Sequence, residues 1–144
     1  MQYWLFKSEP YKFGWDDMTR LGVDHWDGIR NYQARNFMRT MEVGDLGFFY
    51  HSNEGLEIVG IVEVVKKTYP DHTFEETDKF KQTGKNPWEM VDVKAVREIK
   101  NPVSLKAVKA NPKLADMALV TSMRLSVQPV KPEEWEEVLR MAGE

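Results

Sequence analysis

The sequence contains no cysteine, and this absence excludes several classes of protein. Disulfide scaffolds, thiolate nucleophiles, iron–sulfur clusters and cysteine-based zinc fingers all need the missing side chain. The 144-residue chain must therefore rely on a hydrophobic core. A single domain of about this length buries roughly 70% of its unfolded surface, which is enough for a core without covalent staples. We expect one domain over residues 1–144.

Long hydrophobic runs are also missing. No apolar stretch approaches the ~20 residues that a membrane helix needs. The uncharged N-terminal segment before Lys7 is too short for a signal peptide, and its charge follows the apolar residues instead of preceding them. We therefore expect a cytoplasmic protein with no membrane partner.

An excess of positive charge and the common catalytic motifs are absent too. Lys and Arg number 20 against 23 Asp and Glu, for a net charge of -3. Proteins that bind a long phosphate backbone are usually strongly basic. There is no nucleophile elbow, Walker loop or dinucleotide-binding glycine motif, and the three histidines lie too far apart for a metal motif. We expect neither a cofactor nor a metal, and the oligomeric state stays open.

Aromatic residues are abundant instead, with 5 Trp, 5 Tyr and 7 Phe. Trp135 falls on the apolar stripe of a helix and Trp4 alternates within a strand, so both are expected in the core. Trp26 and Trp88 stand in turn-like contexts, where loops seldom bury large rings fully. These two rings either cap the edges of the core or form walls of a pocket for a flat base.

Hydrophobic periodicity predicts five strands, at residues 3–7, 46–51, 58–65, 91–99 and 125–130. Helices are predicted at 15–21, at 31–41 with Asn31 as N-cap, after Ser104 and from Pro132 onward. The polar segment 69–86 indicates a long loop. Strands and helices interleave irregularly, which favours an α+β fold around a small mixed barrel.

Three segments carry groups suited to binding. Residues 7–10 (KSEP) place a cation, a hydroxyl and a carboxylate at the end of the first strand, unless Glu9 only forms a local ion pair. Residues 26–39 hold three arginines against a single acid, a local basic face that could meet a few phosphates. Asn31, Tyr32 and Gln33 offer amides beside a ring, which suits base recognition. His51 ends an aromatic strand, where it either lines a barrel mouth or is bonded within the strand end.

Several of these segments together resemble the EVE domain family almost from end to end. The matching segments are YWLFKSEP (3–10), GIRNYQARNFMR (28–39), GDLGFFYHSN (44–53), VGIVEV (59–64), LSVQPV (125–130) and EEW (133–135). The resemblance implies a PUA-like pseudo-barrel of five to six mixed strands flanked by short helices. It also implies binding of a modified base, such as a methylated or hydroxymethylated cytosine, in DNA or RNA.

The resemblance further implies which residues would form the site. A base pocket would be lined by Ser8, Glu9, Trp26, Arg30, Asn31, Tyr32, His51 and Ser52. Arg35 and Arg39 would face phosphate.

Two other functions remain open. The related ASCH fold includes a small amidohydrolase, and Lys7, Glu9 and His51 could supply an acid–base set for a modified nucleoside. A protein-interaction module would instead carry its aromatic surplus on a flat exposed patch.

Overall fold

A computed structural model describes all 144 residues, and a six-stranded mixed sheet forms its centre. The strands are β1 (Tyr3–Ser8), β2 (Val23–His25), β3 (Leu46–His51), β4 (Glu57–Pro70), β5 (Glu89–Ser104) and β6 (Val127–Val130). Their order across the sheet is β2-β5-β4-β3-β1-β6. β1 runs parallel to β3, and every other neighbouring pair is antiparallel.

The predicted α+β class and mixed sheet are confirmed, but the sheet is not a closed barrel. β2 and β6 lie at its two edges and do not pair with each other. These edge strands have only three and four residues, whereas the central β4 and β5 have 14 and 16. Edge strands this short offer few backbone groups for closing the sheet, and register shifts bend the long β4–β5 pair.

Seven short helices flank the sheet. They are α1 (Pro10–Phe13), α2 (Trp15–Leu21), α3 (Tyr32–Arg39), α4 (Asp78–Thr83), α5 (Leu105–Ala110), α6 (Ala118–Thr121) and α7 (Pro132–Met141). The predicted caps are confirmed, since Asn31 accepts from the Ala34 N–H at 2.9 Å and Ser104 from the Ala107 N–H at 3.1 Å. α3 ends two residues earlier than its apolar stripe predicts.

The prediction of a long loop over 69–86 is wrong. β4 continues to Pro70, a 3₁₀ turn follows at Phe74–Glu76, and α4 occupies most of the remainder. The Thr77 hydroxyl caps α4, and Phe74 meets Phe80 edge-on at 6.3 Å. Capping and one aromatic contact order this segment without the periodicity that sequence reading relies on.

Buried side chains form one cluster on each face of the sheet. Trp4 and Phe6 of β1 belong to the first cluster, and Leu5 between them belongs to the second. Trp135 of α7 covers the second face by stacking on Phe48 at 3.9 Å, so the core assignments of Trp4 and Trp135 are confirmed. The first face, which also contains Trp26, leads to the cavity described next.

Candidate functional site

A cavity of about 480 Å³ opens where the parallel strands β1 and β3 end. Because the strands run parallel and Ser8 pairs with His51 in register, the residues that follow both strands meet at one edge of the sheet. The segment after β2 and the turn before β6 complete the wall. The lining residues are Lys7, Ser8, Glu9, Lys12, Phe13, Asp24, His25, Trp26, Asp27, Gly28, Ile29, Arg30, Ser52, Asn53, Met123, Arg124 and Ser126.

Aromatic rings form the apolar part of this wall. The Trp26 indole is only 7% exposed and belongs to the core. It meets Phe6 edge-on at 5.2 Å, Phe49 at 5.6 Å and Phe13 at 6.2 Å. Trp26 therefore has both roles that the sequence left open, since it packs in the core and also lines the cavity.

Charged groups of both signs surround the rings. The Lys7 ammonium donates to the Met123 carbonyl at 2.5 Å, has no carboxylate within 4.0 Å, and burial lowers its pKa. The Tyr11 hydroxyl donates to Glu9, which lowers the pKa of that carboxyl and keeps it ionised. The cavity can thus offer a strong donor and a strong acceptor to one polar ligand.

Several other polar groups of the wall are held by hydrogen bonds within the protein. The Ser8 hydroxyl donates to the Phe13 carbonyl at 2.5 Å, which ties the exit of β1 to α1. Arg30 donates to Asp71 at 2.9 Å, and the Gly28 N–H donates to the same carboxylate at 2.9 Å. These bonds give the wall a defined shape without a ligand.

Asp71 is a site-forming residue that the sequence reading missed. Burial alone would raise its pKa, but hydrogen bonds from Thr73, Arg30 and Gly28 outweigh that effect and lower it. The Thr73 N–H donates to Asp71 at 2.9 Å, a turn in which an Asp side chain accepts from the backbone two residues later. The sequence does contain one signal for this turn, namely an Asp two residues before a Thr within a turn-rich segment.

The structure brings five of the eight predicted base-site residues together, namely Ser8, Glu9, Trp26, Arg30 and Ser52. The other three do not line the cavity. Asn31 uses its side-chain oxygen as the cap of α3, and Tyr32 lies outside, 4.7 Å from the Trp88 ring. His51 turns toward α2.

His51 is occupied structurally. Its Nε2 accepts from the Trp15 N–H at 3.1 Å, so this nitrogen carries no proton and the imidazole is neutral. Burial lowers its pKa, an effect that Glu57 and Asp16 oppose. Of the three groups considered for acid–base chemistry, only Lys7 and Glu9 line the cavity.

The two arginines predicted to face phosphate differ in their surroundings. Arg39 forms an ion pair with Glu89, so its charge is already neutralised. Arg35 donates to the Pro87 carbonyl at 2.9 Å and to the Asn36 side chain at 2.8 Å, both uncharged groups. Only Arg35 keeps a positive charge without an acidic partner.

No tryptophan lies on an exposed flat patch. Four of the five tryptophans are buried, namely Trp4, Trp15, Trp26 and Trp135, and Trp88 is half-buried. No helix is long and apolar enough to cross a membrane, and no group of three or more His, Asp or Glu side chains is placed to hold a metal ion.

Comparisons with known proteins give one consistent result. The family model described as the EVE domain matches residues 2–141. Thymocyte nuclear protein 1 of Danio rerio is 45% identical over an alignment that covers 98% of this chain and 72% of the relative.

Solved structures agree with that match. A crystal structure of an Agrobacterium tumefaciens protein has a TM-score of 0.90 and 56% identity, covering 99% of this chain and 94% of that one. The crystal structure of human THYN1 protein in complex with 5-methylcytosine containing DNA has a TM-score of 0.92 and 37% identity, covering 100% and 99%. An ASCH protein from Zymomonas mobilis, at 10% identity and a TM-score of 0.58, is similar in fold alone.

Proposed function

We propose that this chain, which belongs to the EVE domain family, is a binding module that takes one modified cytosine of DNA into the cavity at the ends of β1 and β3. The observation that carries the proposal is the cavity itself, which joins an aromatic wall to charged hydrogen-bond donors and acceptors. Its volume of about 480 Å³ lies in the range of small-ligand pockets, roughly 300–1,000 Å³. The 37% identical human THYN1 protein, crystallised with 5-methylcytosine containing DNA, supports the choice of ligand.

The lining groups suit the edge of a cytosine. The ionised Glu9 carboxylate accepts from the exocyclic amine, as carboxylates do when they read cytosine. Lys7 donates to the ring nitrogen or the carbonyl oxygen, and Ser52 supplies a hydroxyl beside them. Phe13 and Trp26 form an apolar wall against which a methyl or hydroxymethyl group at position 5 packs.

Charge supports binding of one nucleotide instead of a long tract. The net charge is -3, so the molecule as a whole repels a polyanion. Arg124 also lines the cavity without an ion-pair partner, and such a local cation can contact a phosphate next to the extruded base.

Titration of short oligonucleotides tests the proposal. The series carries cytosine, 5-methylcytosine or 5-hydroxymethylcytosine at one position, as single-stranded DNA, duplex DNA and single-stranded RNA. We expect modified DNA to bind more tightly than unmodified DNA. Single strands should bind better than duplexes, because extruding a paired base costs a few kcal/mol. Equal affinity across the whole series contradicts the proposal.

Variants at the wall locate the site. Glu9→Gln removes the charged acceptor at little cost in volume, and Trp26→Phe keeps an aromatic ring in the core while reducing the wall. Both should weaken binding, whereas Glu54→Gln, in the exposed loop after β3, serves as the matched control. Thermal unfolding of each variant shows whether a loss of affinity is a loss of fold.

A further inference from the structure

A row of two aromatic rings between two arginines extends outward from the cavity. We call the outer row the four residues Arg30, Trp88, Tyr32 and Arg35. The Arg30 guanidinium lies 5.8 Å from the Trp88 ring, Trp88 lies 4.7 Å from the Tyr32 ring, and Tyr32 lies 4.8 Å from the Arg35 guanidinium. Arg30 also lines the cavity, so the row begins where the base site ends.

The outer row is held in place by the protein. Asp71 fixes Arg30, and the Pro87 carbonyl fixes Arg35. The Trp88 N–H donates to Asn86 at 3.0 Å. Tyr32 is the first residue of α3, directly after its N-cap, and is nevertheless 56% exposed. Tyr32 is exposed and Trp88 is half-buried, and side chains already held by the protein lose little conformational entropy when a flat ligand packs against them.

Arginines without a carboxylate partner lie only at the cavity and at the outer row. The chain has seven arginines, and five of them form ion pairs with carboxylates, namely Arg20, Arg30, Arg39, Arg97 and Arg140. The two without a carboxylate partner are Arg124, in the cavity wall, and Arg35, at the far end of the outer row. A phosphate can therefore bind at either position without breaking an ion pair.

We propose that the outer row is a second subsite, which holds the nucleotide next to the base in the cavity. The exposed part of the Tyr32 ring, which Trp88 supports from behind, contacts the neighbouring base, and Arg35 binds its phosphate. Arg30 lies at the junction, close to the phosphate that links the two nucleotides. The inference rests on the proposed function and extends it, because it makes recognition depend on a neighbour as well as on the modified base.

Stacking is tolerant of sequence, since every base has a flat face. The outer row therefore predicts affinity for a strand without strong preference for the identity of the neighbouring base. A purely structural role predicts a different result. If the Tyr32–Arg35 contact only stabilises α3, its removal lowers the free energy of unfolding and leaves the ligand affinity unchanged.

Binding of four kinds of DNA ligand distinguishes these roles. The ligands are a trinucleotide with a central 5-methylcytosine, its counterpart with an unmodified cytosine, the modified trinucleotide with an abasic residue on one side or the other, and the nucleoside 5-methyl-2′-deoxycytidine. The proteins are wild type, Tyr32→Ala, Arg35→Gln and Arg39→Gln. Arg39→Gln is the matched control, because it removes the same charge from the same helix at an ion-paired position.

The subsite predicts a specific pattern. Tyr32→Ala and Arg35→Gln each weaken trinucleotide binding by about fivefold or more, the loss expected for one stacked base or one phosphate contact. Both leave the nucleoside affinity unchanged, and Arg39→Gln changes neither. An abasic residue on one side weakens wild type and removes the effect of Tyr32→Ala.

Other patterns overturn the inference. If both variants bind the trinucleotide as tightly as wild type, the outer row is not a subsite, although Glu9→Gln still tests the base pocket. If the variants weaken nucleoside binding equally, these residues belong to the base pocket itself. If wild type binds modified and unmodified trinucleotides equally while Tyr32→Ala still weakens both, the proposed base specificity fails and the outer row stands. If wild type binds none of the ligands, both are wrong.

Discussion

Arg30 and Asp71, 41 residues apart in sequence, form an ion pair across 2.9 Å that fixes one wall of the cavity. The Asp71 side chain is wholly buried, whereas that of Arg30 is 35% exposed. The buried Asp71 therefore holds Arg30 in position. The exposed part of the Arg30 guanidinium faces the cavity and the Trp88 ring. The Gly28 N–H, which also donates to Asp71, ties the backbone of the same wall to the anchor.

Replacing Asp71 should destabilise the fold markedly. Asp71→Ala leaves the Gly28 and Thr73 N–H groups without their acceptor and Arg30 without its partner. We expect the free energy of unfolding to fall by about 3 kcal/mol, the usual cost of breaking a buried, charged hydrogen-bond network. Chemical denaturation measures this, with the exposed Glu76→Ala as control. A loss no larger than that of Glu76→Ala would show that Asp71 is not an anchor.

The same carboxylate should contribute to acid sensitivity. In the unfolded chain an Asp carboxyl has a pKa of about 3.9, and in the folded protein the pKa of Asp71 is lower. The carboxylate therefore stabilises the fold fully above about pH 3.9, and this stabilisation is lost as the pH falls further. Unfolding measured from pH 6 to the acid limit should therefore have a shallower pH slope below about pH 4 in Asp71→Asn than in wild type. Identical slopes would contradict the lowered pKa.

His51 should make the protein less stable at mildly acidic pH. Burial lowers its pKa in the folded state, and its Nε2 must stay unprotonated to accept from Trp15. The unfolded chain therefore takes up a proton first. Stability is complete above about pH 6.5 and declines as the pH falls from there toward the folded pKa. His51→Gln should remove this decline between pH 7 and 5, and the exposed His72→Gln should retain it.

Gly60 allows the Trp15 ring to lie directly on β4. A Cβ at this position would come within 2.5 Å of the indole, closer than real contacts allow. We expect Gly60→Ala to lower the free energy of unfolding by about 1–3 kcal/mol, as overpacking does. The cost should shrink in a Trp15→Phe background, because the smaller ring leaves room. A double-mutant cycle without coupling between the two positions would contradict the clash.

The salt dependence of DNA binding should be weak. Apart from Lys7, which is assigned to the base, the cations without carboxylate partners near the site are Arg35 and Arg124. Each phosphate contact with a single strand contributes about −0.7 to the slope of log K against log salt, so two contacts give an expected slope of roughly −1.4. Arg124→Gln should make the slope shallower by about one such contact. A slope several times steeper would indicate wrapping of a long strand, which the net charge of -3 opposes.

Local patterns predicted a large part of the fold. The stripe through Ala34 and Met38 and the cap at Asn31 located α3, and alternation located β1 and β3. The three-residue β2 was missed, because so short a strand has no visible period and depends on pairing with β5. The helix α4 was missed because its stabilisation comes from a cap and one aromatic contact.

The candidate site was predictable only in part, for a physical reason. Ser8, Glu9 and Ser52 follow strand ends that meet, so their positions in the chain indicated a common place. His51 lies beside Ser52 in sequence, yet its ring bonds to Trp15, 36 residues away. Neighbours along a chain share a location but not a side-chain direction, and direction depends on partners that periodicity cannot reveal.

The sequence by itself therefore determined most of the strands and helices and the resemblance to the family, because each of these depends on the order of nearby residues. The tertiary structure alone decided that Asp71 supports Arg30, that Trp26 belongs to both core and cavity, and that Tyr32 and Arg35 lie outside it. These relationships arise when distant segments close around one edge of the sheet, where burial and hydrogen bonding select partners that are far apart in the chain.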